Sequence, residues 1–114
     1  MDEEKLFEAI YARVKQIPAG QVMSYGQVGQ EIGCSAREVG GAMQQVHGTD
    51  VPWQRVVGTD GYLRIGRRSV VLQQEQRELL EGEGVTFKEN GYVEMSRHRS
   101  GVIGKPQTLE LALE

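Results

Sequence analysis

The chain has 114 residues, 39 % of them hydrophobic and 25 % charged, with a formal net charge of −3. This suits one soluble domain with its own core and excludes a fibrous or low-complexity class. No apolar run approaches the length of a membrane span, the acidic start enters a helical pattern rather than a signal peptide, and the lone Cys34 excludes an internal disulfide, which fits a reducing cytoplasm.

The first predicted element is a helix capped by Asp2, with Leu6, Phe7, Ile10, Tyr11 and Val14 on one face and Pro18-Ala19-Gly20 stopping it. Ser24 and Gln27 form a capping-box pair for a short helix from Tyr25 to about Ile32, ended by Gly33. Ser35 and Glu38 form a second box, for a helix from Ala36 to about Val46. Two helices separated by Gly33-Cys34-Ser35 read as a helix-turn-helix.

Beyond them the pattern changes. Val56-Val57, an Asp60-Gly61 turn and Tyr62-Leu63 predict a small hairpin. Ser69 caps a polar helix through Leu80, with Gly82 past its end. Val85 and Phe87, an Asn90-Gly91 turn, then Val93 and Met95 predict a second hairpin. Leu109, Leu111 and Leu113 alternate, as in a strand or a loose tail.

Charge is unevenly spread. Residues 37–68 carry Arg37, Arg55, Arg64, Arg67 and Arg68 against three acids, a balance of +2, while the flanking segments are acidic. Arginine suits phosphate forks and stacking on rings, although a solvated mixed-charge surface has the same composition. On the second helix of the helix-turn-helix, Val39, Ala42, Met43 and Val46 form the core face. Ala36, Arg37, Gly40, Gly41 and Gln44 lie opposite. Each interior glycine costs about 1 kcal/mol relative to alanine, which close approach by another backbone or by DNA would offset. So small a face lacks the long side chains of a major-groove reader and suits a narrow minor groove. Cys34, His47 and His98 have no metal-ligand spacing.

Three segments share a family pattern. Pro52-Trp53-Gln54-Arg55-Val56 resembles the Pro-Cys-His-Arg-Val motif of the alkylguanine-DNA alkyltransferases, with Trp53 in place of the cysteine and Gln54 in place of the histidine. Val22-Met23-Ser24-Tyr25-Gly26-Gln27 is similar to that family's Val-Ser-Tyr-Gly segment. Ser35 to Met43 is similar to its recognition helix, Ala-Arg-Ala-Val-Gly-Gly-Ala-Met. A thiolate accepts an alkyl group; an indole does not, and a glutamine amide is no general base. The resemblance, over roughly residues 3–95, is therefore to the alkyltransferase-like proteins, which bind damaged DNA without repairing it. The chain departs from many relatives after Gly66, where a Gly-Gly-Tyr character is missing. It also has a short turn before the recognition helix and no Asn before Pro52.

That resemblance implies an α+β, mostly helical, winged-helix-like domain with a helix-turn-helix and small β-hairpins over residues 1–96, and a C-terminal extension over 97–114. It implies that Tyr25, Ala36, Arg37, Gly40 and Gly41 contact DNA. Arg37 would fill the gap left by an extruded nucleotide, and Tyr25 would crowd the adjacent phosphate. Tyr25, Trp53 and Arg67 would line the lesion pocket, supported by Pro52, Arg55 and Glu83. The implied function is a non-enzymatic, monomeric, cytoplasmic sensor without metal or cofactor. It would bind O6-alkylguanine in double-stranded DNA, flip the nucleotide through the minor groove and signal to nucleotide excision repair proteins. Its rivals are a winged-helix regulator without lesion specificity and an alkyltransferase with an unusual acceptor.

Overall fold

The computed structural model describes residues 2–100. Helix α1 (Glu3–Lys15) begins where the Asp2 carboxylate accepts from the Lys5 N–H at 2.8 Å, with Glu3 and Glu4 at its positive end. Its apolar face packs into a first core shared with α2 (Tyr25–Ile32) and α3 (Ala36–Gln44). Both capping boxes form, Ser24 with Gln27 and Ser35 with Glu38. Gly33, at φ 92°, closes α2, and the N–H groups of Gly33 and Cys34 both donate to the Gly29 carbonyl. A Cβ on Gly29 would lie 2.6 Å from the Cys34 carbonyl oxygen, so the helix-turn-helix closes this tightly only around glycine. Helix α3 ends at Gln44, two residues before the expected Val46, which stays in the core.

The first expected hairpin is corrected. Its turn exists: Gly58 N–H donates to the Tyr62 carbonyl at 2.9 Å, and the Asp60 carboxylate accepts from Tyr62 N–H at 3.1 Å. But the strand partner of Val56-Val57 is not Tyr62-Leu63. Strand β2 (Val56–Val57) pairs in parallel with β1 (Met23–Ser24), Met23 opposite Val56 and Ser24 opposite Val57. A lone hairpin exposes one face and is marginal in water, whereas this pairing buries both valines completely. Successive side chains of β2 point to opposite faces. Val56 enters the first core, and Val57 joins Val22, Leu63, Leu80, Val85 and Val93 in a second.

Helix α4 (Val70–Gly82) starts at Ser69, whose hydroxyl accepts from Leu72 N–H at 3.1 Å. Gly82 is its last residue rather than the residue beyond its end; the left-handed position is Gly84, φ 92°. The second hairpin narrows to one antiparallel bridge, Phe87 with Val93, around the Asn90-Gly91 turn. Met95, expected in its second strand, instead opens α5 (Met95–His98). Gly61 joins the two turns. It accepts from Val93 N–H at 3.0 Å, and at φ 95° a Cβ there would meet the Val93 carbonyl at 2.5 Å.

The chain then straps back to β1. Val22 N–H donates to the His98 carbonyl at 2.9 Å, Ser100 N–H donates to the Val22 carbonyl at 2.7 Å, and the Gln27 amide donates to the Ser100 carbonyl. Residues 97–100 of the expected extension are thus fastened to the body. The alternating leucines at 109–113 lie outside the described residues. No helix among the described residues is long and apolar enough to cross a membrane.

Candidate DNA-lesion pocket

Pro52 precedes a 3₁₀ turn, Trp53–Arg55, whose Arg55 N–H donates back to the Pro52 carbonyl at 3.0 Å. This turn carries Trp53 into the first core, where it is only 6 % exposed. Its remaining surface lines a cavity of about 530 Å³. The tryptophan is therefore both a core anchor and part of the pocket lining.

One wall is the outer face of α3, contributing Ala36, Arg37, Gly40, Gly41, Met43 and Gln44. A second 3₁₀ turn, Arg64–Arg67, brings Arg64, Ile65 and Arg67 to the cavity, joined by Arg68. Tyr25, the first residue of α2, lies between these walls, half-buried, with the Arg64 guanidinium 5.7 Å from its ring centre. Burial raises the pKa of the Tyr25 phenol, against a smaller lowering by Arg64, so the group remains a hydrogen-bond donor. Of the site residues expected from the sequence, Tyr25, Ala36, Arg37, Gly40, Gly41, Trp53 and Arg67 come together here.

The two adjacent glycines now have a local context. A Cβ on Gly40 would sit 4.0 Å from the Tyr25 ring, and one on Gly41 would sit 3.9 Å from Phe7. These are ordinary contacts, so packing among the described residues does not demand glycine at either position. Arg37 is exposed and makes no hydrogen bond or ion pair among the described residues. Arg67 is exposed as well, with its guanidinium 5.6 Å from the Tyr62 ring centre.

The remaining expected residues form a separate group behind the turn. Glu83 accepts from the Arg55 Nε and Nη2 groups at 3.0 Å each, and from the Gln54 amide at 2.8 Å. The third Arg55 bond runs to the Ile17 carbonyl at 2.8 Å, tying the turn to the end of α1. Burial pushes the Glu83 carboxyl upward, but the bonds from Arg55 and Gln54, the Arg55 charge and the Gly20 N–H outweigh it and hold its pKa below the ordinary value. Pro52, Arg55 and Glu83 thus fix the turn that presents Trp53. Gln76, 1 % exposed on α4, adds bonds to the carbonyls of Gln54 and Val56 at 3.1 and 3.2 Å.

Sequence reasoning missed Arg64, His47 and Gln76. Arg64 had a signal in the arginine-rich segment. His47 had none, because its place follows from the turn after α3. Its ring stands edge-on to Trp53, centroids 4.2 Å apart at 70°. No group of three or more His, Cys, Asp or Glu able to hold a metal occurs among the described residues. Cys34 does not line the cavity, and burial, followed by the charge of Glu38, raises its thiol pKa. The cavity offers a flat indole, a half-buried phenol and a cationic rim, suited to a planar base with its phosphates outside.

The family model of the 6-O-methylguanine DNA methyltransferase DNA-binding domain matches residues 5–85. The chain is 33 % identical over 110 residues to alkyltransferase-like protein 1 of Schizosaccharomyces pombe, covering 93 % of this chain and 100 % of the relative. It is 33 % identical over 103 residues to the DNA base-flipping protein of Escherichia coli K12, covering 87 % and 78 % of the two chains. Its structure is similar to that of S. pombe Atl1 in complex with damaged DNA containing O6-carboxymethylguanine, with a TM-score of 0.74, 31 % identity, and coverage of 93 % and 100 %.

Proposed function

We start from the fact that this chain belongs to the alkyltransferase-like branch of the 6-O-methylguanine DNA methyltransferase DNA-binding domain family, and we propose that it is a non-enzymatic sensor of O6-alkylated guanine in double-stranded DNA. One observation carries this reading: the pocket beside α3 has an indole at Trp53 and an amide behind it at Gln54, with no thiol in its lining. The glycine face of α3 supports minor-groove approach, because no contact among the described residues needs those glycines. Arg37 enters the base stack and takes the space left by the extruded nucleotide, while Tyr25 crowds the neighbouring phosphate. The flipped base lies against Trp53, with Arg67 at the pocket edge. Flipping costs a few kcal/mol and is cheapest at a poorly paired, damaged base, so selectivity begins before any pocket contact.

Without a thiolate in the pocket lining to accept it, the alkyl group stays on the base, and repair requires other proteins. In this reading the monomer, acting in the cytoplasm without a metal or organic cofactor, hands the distorted site to nucleotide excision repair. That handoff rests on the family resemblance.

Fluorescence anisotropy with paired duplexes differing by one O6-methylguanine, at fixed salt, tests the sensor. Tighter binding to the lesion duplex is expected, with the methyl group and the glycosidic bond intact on recovery. Equal binding to both duplexes would favour a regulator without lesion specificity, and loss of the methyl group would reveal a transferase.

A further inference from the structure

The lesion pocket has a one-sided charge. Its lining includes Arg37, His47, Arg64, Arg67 and Arg68 and no carboxylate, in a chain whose formal net charge is −3. Phosphates outside the groove account for the exposed arginines, and Arg64 and Arg67 already stand over tyrosine rings. They do not account for His47. This residue is half-buried against Trp53, and neither ring nitrogen has a hydrogen-bond partner among the described residues. Its ring nitrogens are therefore free to bond an acceptor that enters the pocket.

We propose that His47 is a specificity-determining residue that donates an N–H to an anionic O6 substituent, so that the pocket prefers carboxylate-bearing adducts to neutral ones of the same shape. This rests on the sensor reading, which places the flipped guanine against Trp53. Imidazole donates from a ring nitrogen whether neutral or charged, and a bond to a carboxylate is stronger than one to a neutral amide. The charged groups facing the pocket from α3 and from residues 64–68 are all cationic, and Tyr25 on α2 is held protonated, so nothing in the lining repels the anion.

The test compares duplexes carrying O6-carboxymethylguanine, its neutral isostere O6-carbamoylmethylguanine, O6-methylguanine or guanine at one position. The wild-type chain should bind the carboxylate about tenfold more tightly than the amide. His47→Phe keeps an aromatic edge on Trp53 but removes the donor, and should bring that carboxylate-to-amide ratio close to one. His47→Gln restores a donor and should retain part of the preference. A wild-type ratio of one, or a ratio that survives His47→Phe, overturns the proposal. If O6-methylguanine and guanine also bind equally, the sensor reading fails and takes this inference with it; a lesion preference without charge preference removes His47 alone.

Discussion

Trp53 separates two polar regions with opposite bonding. Behind it, Glu83 receives three side-chain hydrogen bonds from Gln54 and Arg55, and Arg55 spends its remaining bond on Ile17. In front of it, Arg37 and His47 have no hydrogen-bond partners among the described residues, and two helical glycines face outward with room beside them. The Glu83–Arg55–Gln54 bonds of the rear group are made within the chain, although the buried Gln76 Oε1 beside them has no partner among the described residues. The front group leaves its interactions unmade, which costs little at an exposed surface. The same contrast separates residues adjacent in sequence: Trp53 reaches the pocket, while Gln54 and Arg55 turn away from it.

The sharpest way to break this division is Glu83→Ala. It strands a partly buried guanidinium and should cost about 3 kcal/mol, lowering Tm by roughly 10 °C or more in thermal unfolding. If Tm holds while lesion binding falls, the rear group belongs to function and the division fails. Arg37→Ala should do the reverse, weakening lesion binding about tenfold with Tm unchanged. Unchanged affinity in anisotropy, with an unchanged circular dichroism spectrum, removes the finger role.

A smaller effect sharpens the contrast because stability and binding move in opposite directions. Gly40→Ala should stabilise the fold by about 0.5–1 kcal/mol, through better helix propensity and without a clash, while weakening binding to DNA. Denaturant unfolding and anisotropy on one sample decide it; a stabilised variant with full affinity would mean that α3 does not need its smooth face. The smallest effect is a pH dependence. Because the Glu83 pKa is depressed in the folded state, its contribution is present above the ordinary carboxylate pKa of about 4.3 and is lost as pH falls through the lower folded value. The Tm gap between wild type and Glu83→Gln should therefore narrow in acid, and a gap constant from neutral to acid pH would contradict the ionised network.

What the sequence disclosed was local. Ser24 with Gln27 and Ser35 with Glu38 are reciprocal bonds three residues apart, so the helix starts could be read directly. The partner of Val56-Val57 could not. The Asp60-Gly61 turn signalled a hairpin and does form a turn, but burial on both faces selects β1, across the whole helix-turn-helix. Gly82 misled for a related reason: a glycine near a helix end is a stop signal, yet the left-handed residue is Gly84. At the pocket, Trp53 and α3 were legible by resemblance to a motif. His47 and Arg64 were not, because a turn and a 3₁₀ segment bring them there and no periodicity marks either.

The strap from His98 to Ser100 also bears on how the chain is made. Gln27 completes the α2 capping box and at the same time donates to the Ser100 carbonyl, while Val22 bonds on both sides of Arg99. On the ribosome, synthesis proceeds from the N-terminus at about 5–20 residues per second. The helix-turn-helix is therefore translated and emerges well before the segment that braces its entrance. Until Ser100 clears the exit tunnel, Val22 and Gln27 lack their bonds to the strap, and the nascent domain passes through an interval in which its helix-turn-helix exists without that final support.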